Sequence, residues 1–312
     1  MSERRLAVVT GGAGFIGSHV VDRLLGEGWQ VRVIDDLSTG SRANLPSDVE
    51  LEEGDLADRK WADRIARVRP SIVIHCAAQT SVTRSFEDPA ADARSNIVAS
   101  LNVVQGALGA RSTAFIYVTT GSALYGKGPL PTGEDEPVSP RSPYGWSKWI
   151  VERYLETLGA GMLRSTVLRL SNVYGPRQRA DGEGGVVAIF AHQMNQGSPV
   201  TIDGDGEQTR DFIYVGDVVE AIVAATEPRP SATLNISTGR ATSVNQLFDV
   251  LAMISRYRQQ PIHGPARVGD IRESVLDPRR AAGRLGWSAR TGLEDGLAIT
   301  YQAIAGSIEV PG

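Results

Sequence analysis

The sequence predicts an α/β chain built on a doubly wound parallel sheet, with a smaller C-terminal α/β lobe, and three observations carry that expectation. Short runs rich in β-branched residues alternate with amphipathic segments through the first half. A glycine-rich stretch sits between the first such run and the first helical pattern, and after about residue 175 the texture changes to loops rich in Gly, Pro and Asp. At 312 residues the chain is long enough for one large unit with a smaller companion.

The strand candidates are 6–10, 31–35, 71–75, 114–119 and 165–170. Their near-continuous apolar character suits strands covered by helices on both faces. Helical patterns at 15–27, 58–67, 90–109 and 144–158 fall between them, which is the alternation of a βαβ fold. Further on, Ser243 followed by Gln246 opens a helix near 244–256 as a capping box, while 204–206 and 227–230 are turns. The expected division puts 1–175 and about 209–240 in the sheet domain, and about 176–208 and 241–312 in the lobe.

With 41% hydrophobic residues, 22% charged residues and a net charge of −4, the chain falls outside disordered and membrane compositions. The mild acidity argues against nucleic acid as a partner, and an anionic ligand must be met by local Arg and Lys. Cys76 is the single cysteine, so no intramolecular disulfide is expected; it fits a reducing compartment and reads as core filler. The apolar run after Arg4 and Arg5 reaches glycines too soon for a secretory signal, and no stretch approaches the roughly 18 apolar residues of a membrane span. The expected location is the cytoplasm, with no membrane partner and no metal site.

Thr10-Gly-Gly-Ala-Gly-Phe-Ile-Gly17 lies between the first strand and the first helix, the context that gives a glycine motif meaning. Gly11 permits the tight turn, Gly14 lets backbone approach a pyrophosphate, and Gly17 lets helix pack on strand, while the helix N-terminus offers free N–H groups. This is the signature of a Rossmann dinucleotide site. Asp35, 18 residues past Gly17 at the end of the second strand, can accept both ribose hydroxyls and would repel a 2′-phosphate, favouring NAD over NADP; Asp36 adds a second negative charge. Gly54-Asp55-Leu56, between the second and third of the strand candidates, either meets the adenine or simply turns the chain.

Tyr144-Gly-Trp-Ser-Lys148 places Tyr and Lys four apart, on one face of a helix that Ser142-Pro143 would start. An unperturbed tyrosine, with a pKa of about 10, is a poor base at neutral pH, but a nearby ammonium and a cationic nicotinamide favour the phenolate.

Together, TGGAGFIG, DDLSTG, HCAAQTSV, YGWSK, NVYGPRQ and RDFIYVGDV resemble the extended short-chain dehydrogenases of the NAD-dependent epimerase/dehydratase family, over nearly the whole chain. The closest likeness is to members that epimerise UDP-sugars of the UDP-glucose/UDP-galactose type at C4. The resemblance implies that Tyr144 is the acid/base, that Lys148 lowers its pKa and holds the nicotinamide ribose, and that Asn96 supports the helix geometry. The first segment would supply Gly11, Gly14, Phe15, Ile16 and Gly17 to the cofactor. The second would supply Asp35, Asp36, Leu37, Ser38, Thr39 and Gly40, and Asp55 and Leu56 would join them. From HCAAQTSV, Ala77, Ala78 and Gln79 would meet the cofactor, and Thr80 and Ser81 the substrate.

In the same family a Ser or Thr stands four residues before the Tyr of the segment ending in Val-Tyr-Gly and bonds the sugar 4-hydroxyl. Here Gly121 stands there, so the hydroxyl must come from Thr120, Ser122 or a water, with Thr120 favoured. Positions 121–123 are Gly, Ser and Ala, without the carboxylates that the family's dehydratases and decarboxylases use, which leaves reversible oxidation and re-reduction at C4 through a 4-keto sugar.

Arg210 and Arg267 match the arginines that grip the UDP diphosphate, where their bidentate forks suit the task. Asp270 matches the aspartate at the uridine ribose and Asn172 an asparagine on the diphosphate, with Val187, Thr201 and Asp203 around the uracil. Ser274 falls where strict glucose/galactose epimerases carry a tyrosine, opening the pocket to 2-acetamido sugars or a uronic acid, whose carboxylate Arg177 and Arg179 could meet. The resemblance also implies a homodimer through helices near 90–109 and 145–158. The alternatives are a UDP-GlcNAc or UDP-glucuronate 4-epimerase, another NAD-dependent nucleotide-sugar oxidoreductase or dehydratase, and a non-catalytic NAD sensor; Tyr144 and Lys148 argue against the last.

Overall fold

The computed structural model describes residues 5–126, 128–180, 185–266 and 271–306. In chain order the first part runs β1 (Leu6–Thr10), α1 (Phe15–Gly26), β2 (Gln30–Asp35), β3 (Glu50–Glu53), α2 (Lys60–Val68), β4 (Ile72–His75), α3 (Val82–Glu87), α4 (Pro89–Ala93), α5 (Ala99–Ala110), β5 (Ala114–Thr120), α6 (Pro143–Leu158) and β6 (Arg164–Leu170). It continues with β7 (Asn172–Tyr174), α7 (Val186–Asn195), β8 (Thr201–Asp203), β9 (Thr209–Arg210), β10 (Phe212–Tyr214), α8 (Val215–Ala224), β11 (Ala232–Ile236) and β12 (Thr242–Ser243). Last come α9 (Val244–Ser255), β13 (Ile262–Gly264), β14 (Glu273–Ser274), α10 (Arg279–Leu285) and α11 (Leu293–Gly306).

Seven of these strands form one sheet in the order β11-β6-β5-β4-β1-β2-β3, every pair parallel. The five expected strands are its centre. β3 and β11 complete its edges, where Glu50, Glu52 and Glu53 in one and Asn235 in the other interrupt the apolar signal. Alternation splits the strands' side chains between two apolar layers. Val9, Val33, Ile74 and Ile116 pack with α1 and α8, and Val8, Ile34, Val73 and Phe115 with α2, α5 and α6. Each such buried side chain contributes about 1.5–3 kcal/mol. Because β1 leads outward to β2 while β4 lies on its other side, the order reverses between β1 and β4, and the crevice at their carboxyl ends is the switch point at which such sheets bind ligands.

The helix expected over 90–109 is interrupted. A π turn over Arg94–Val98 joins α4 to α5. A third apolar cluster, including Phe190, Met194, Phe248, Leu251 and Leu297, lies between α7, α9 and α11, with the capping box at Ser243 and Gln246 in place. Within 241–312 the packing is divided, since Ala281, Leu285 and Trp287 belong to the sheet's cluster and Trp287 Nε1 donates to the Asp217 carbonyl at 2.9 Å.

Candidate active site

At the switch point the backbone is packed too closely for side chains. Gly11 has φ +67°, and a Cβ there would lie 2.5 Å from Ala77 N; one on Gly17 would lie 2.1 Å from Gly11 O. These approaches press the β1–α1 turn against the end of β4. α1 then opens at Gly14 with no side-chain cap and no acidic residue in its first turn, leaving its positive end for an anion. Asp35 is buried, and its carboxylate accepts from Ala13 N and Leu37 N, each at 2.9 Å. Each oxygen keeps a second lone pair for a ribose hydroxyl. Burial raises its pKa, against the pull of those two amides.

The resulting pocket is about 620 Å³ in volume and brings together most of the expected cofactor residues: Gly11, Gly14, Phe15, Ile16, Gly17, Asp35, Asp36, Ser38, Thr39, Asp55, Leu56, Ala77, Ala78 and Gln79, with Thr80 and Ser81 beside them. Leu37, Gly40 and Lys148 are not in its lining. Gly40 instead packs behind it, its Cβ position 3.0 Å from Asp35 Oδ1. Asp36 is spent locally on Ser38 N at 2.9 Å. Cys76, expected in the core, lines the pocket, and burial pushes its thiol up to about 12. Arg84 and Ser95 also line it without any sequence signal, and Arg177 and Arg179 stand at its rim, Arg177 paired with Asp22 at 2.8 Å. A larger trough, about 910 Å³, lies at the amino ends of β1 to β3, but Arg32 there pairs with Glu50 at 3.0 Å, and its position is opposite the switch point.

Ser142 accepts from Gly145 N at 3.1 Å, and Pro143 sits in the first turn, so α6 starts where expected. Tyr144 and Lys148 share its buried face. Thr120 lies beside the Tyr144 phenol and lowers its pKa, and its Oγ1 accepts from Ala123 N at 3.2 Å, whereas Ser122 Oγ donates to Asn172 Oδ1 at 3.0 Å. Of the two candidate hydroxyls, Thr120 is thus the one at the phenol. Lys148 Nζ donates to Val118 O at 3.3 Å and stands 4.6 Å from the centre of the Tyr117 ring.

The electrostatics differ from the expectation. Burial, helped by the Asp92 charge, pushes the Tyr144 phenol up, and the neighbouring Thr120 pulls only partly back. Burial also lowers Lys148 to about 8, against the raising charges of Cys76, Glu152 and Asp92. In the chain alone, Lys148 does not bring the phenol down.

Asn96 lies in the π turn, does not line the pocket, and acts through its neighbours. Its Oδ1 accepts from Gln79 N at 2.9 Å, and its Nδ2 donates to Gln79 O at 3.0 Å and Ser147 Oγ at 3.1 Å. It ties the pocket segment to the helix of Tyr144 and Lys148.

Among the residues expected to meet the sugar nucleotide, Ser274 stands opposite Arg210 where β14 pairs with β9, and Asp211 N donates to Ser274 O at 3.0 Å. Asp211, which drew no attention in the sequence, is buried and accepts from Thr238 N, Thr238 Oγ1 and Gly239 N at 2.7–2.9 Å, holding this segment together. Thr201 and Asp203 stand on β8 beside β13. Val187 is 1% exposed inside the lobe's apolar cluster, so its side chain is packing rather than a uracil contact. Arg267 and Asp270 lie outside the described residues.

This fold and site define the class. The sequence profile of the NAD dependent epimerase/dehydratase family matches residues 7–237, and the chain belongs to that family. It is 40% identical over 303 residues to the UDP-glucose 4-epimerase of Mycolicibacterium smegmatis, covering 95% of this chain and 97% of that one. Among solved structures it is similar to UDP-glucose 4-epimerase with UDP-glucose from Thermotoga maritima, at 45% identity and a TM-score of 0.95 over 97% of this chain and 100% of that one. It is likewise similar to the Thermus thermophilus UDP-glucose 4-epimerase in complex with NAD, at 37% identity and a TM-score of 0.91 over the same shares.

Proposed function

We propose that the chain is an NAD-dependent enzyme that inverts C4 of a UDP-sugar of the UDP-glucose/UDP-galactose type. The observation that carries this reading is the buried phenol of Tyr144, sharing its helix face with Lys148, on a helix tied by Asn96 to the switch-point pocket. The glycine cradle and the Asp35 carboxylate fit a dinucleotide, held along Gly11 to Gly17 and by Asp35. Bound NAD supplies a reversible hydride acceptor for the sugar C4.

The chain's own part is proton transfer and anchoring. Tyr144 Oη moves the 4-hydroxyl proton, Thr120 Oγ1 orients that hydroxyl, Lys148 Nζ holds the cofactor ribose, and the cationic nicotinamide of bound NAD favours the anionic phenol. Arg210, Asn172 and, outside the described residues, Arg267 anchor the diphosphate, with Asp270 at the uridine ribose. Thr201 and Asp203 stand toward the uracil. A fixed nucleotide lets the sugar ring present either face.

A second substrate reading rests on Ser274, paired with Arg210 across β14 and β9: a side chain this small in the sugar pocket would admit a 2-acetamido group or a uronic acid. Phe86, Val98, Trp146 and Tyr154, all more than 40% exposed on or beside α3, α5 and α6, support a homodimer through those helices. Among the described residues no helix is long and apolar enough to cross a membrane, and a cytoplasmic location accords with the lone cysteine. In this reading the sheet, α8 and α10 form the cofactor domain and α7, α9 and α11 the lobe, which takes α10 away from the expected 241–312 segment.

Product analysis with UDP-glucose, UDP-GlcNAc and UDP-glucuronate, without added reductant, tests the reading. A C4 epimer is expected from at least one of them. Keto-sugar with stoichiometric reduced cofactor would make the chain a dehydrogenase, and no product from NAD-loaded protein would make it a sensor.

A further inference from the structure

Gly121 is not glycine for the sake of its backbone, since it is absent from the residues with positive φ. A neighbour accounts for it instead. A Cβ on Gly121 would lie 2.4 Å from Leu276 Cδ1, 3.2 Å from Cδ2 and 3.4 Å from Cγ. Leu276 is 2% exposed, and its backbone is held along its length. Its carbonyl accepts from Ser237 Oγ at 3.0 Å, and Thr132 N and O bond Val275 O and Asp277 N, each at 2.9 Å.

The other partner is held as firmly. Gly121 N donates to Leu170 O at 2.8 Å, Leu124 N donates to Gly121 O at 3.0 Å, and Gly145 of α6 lies against the same loop, where a Cβ would meet Ala123 O at 2.6 Å. With both backbones fixed and the leucine buried, a side chain at 121 and a leucine at 276 compete for one volume. Ser122 is bonded to Asn172, and Thr120 is the loop residue whose side chain lies beside the phenol, so Thr120 carries the loop's hydroxyl there.

We propose that Gly121 and Leu276 form a steric pair that sets which loop residue serves the sugar 4-hydroxyl: leucine at 276 excludes any side chain at 121, and the task passes to Thr120. This rests on the epimerase reading above for the chemistry, and on packing alone for the pair. Substitutions at the two positions must therefore be coupled rather than additive.

The test is a double-mutant cycle of Gly121→Ser and Leu276→Ala in the NAD-loaded protein, read by thermal unfolding and by kcat and KM for epimerisation. Each single change is expected to lower the unfolding midpoint, and Gly121→Ser to cut kcat at least tenfold. The double variant should recover most of both losses. In a Thr120→Val background, adding both changes should raise kcat at least tenfold, because serine at 121 then supplies the hydroxyl. Gly121→Ala with Leu276→Val is the gentler cycle should the first fail to fold. Additive shifts in midpoint, Gly121→Ser with wild-type stability and rate, or a triple variant no faster than Thr120→Val would each overturn the pair. A wild-type chain inert toward every UDP-sugar would sink the epimerase reading instead, with the unfolding cycle still deciding the packing.

Discussion

The cofactor half and the sugar half of the site are built by different means. On the cofactor side, position is set by backbone against backbone, Gly17 on Gly11 and Gly11 on Ala77. On the sugar side the strands are two or three residues long, and side chains do the holding, with Asp211 on Thr238 and Gly239 and Ser122 on Asn172. A ligand that stays bound through turnover can be met by a cradle that admits no variation. One that must enter, turn and leave is met by groups that can be exchanged, and substrate range should therefore change by substitution in the second half alone.

Four measurements bear on that contrast. Tyr144→Phe keeps the buried ring and removes the phenol, so kcat should fall about 10³-fold, roughly 4 kcal/mol of barrier, with bound NAD retained; loss of the NAD as well would join the catalytic helix to the cradle. Lys148 is held at about 8 by burial against an ordinary 10.5. Between those values the unfolded chain binds a proton that the folded chain does not, so stability rises with pH across that window, and the burial cost is full below it. Lys148→Met should thus stabilise the fold at pH 7 by about 3 kcal/mol and by much less at pH 10.5, and denaturant unfolding at the two pH values that gave the same difference would contradict the assignment.

Gly17→Ala puts a methyl group into Gly11 O and should cost about 2–3 kcal/mol in midpoint while emptying the purified protein of NAD, measured by absorbance after denaturation. Wild-type retention would break the contrast outright. The smallest effect belongs to the exchangeable half. Arg210→Ala should raise KM for the UDP-sugar about 30-fold, near 2 kcal/mol, with kcat, NAD content and melting temperature little changed; a fall in kcat of equal size would show that the anchor acts in the transition state.

What the sequence disclosed was local and periodic. The buried strands, the glycine motif, Tyr144 with Lys148 on one helix face and the Ser243 capping box each declare themselves within a few residues. What it hid depended on distant packing. The edge strand of Glu50–Glu53 has too many carboxylates to look like a strand, and α3, which brings Arg84 to the pocket, is too short to show a period. Val187 sits at helical spacing among apolar residues, a pattern that packing satisfies. The pKa of Tyr144 turns on burial, which spacing cannot reveal, and only the arrival of Leu276 from 155 positions away accounts for Gly121.

The π turn over Arg94–Val98 has a consequence for the whole helical layer. It winds one extra residue into an otherwise α-helical stretch, and each α-helical residue advances the winding by about 100°. Removing one residue there would swing Val103 and Val104 off the sheet and pull Asn102 from the Leu56 carbonyl it reaches at 2.9 Å. The phase of α5, and with it the pocket wall at Leu56 and Ala99, is thus set by the same five residues that carry Asn96, so a frame shift at one point would disturb that wall and the Asn96 tie together.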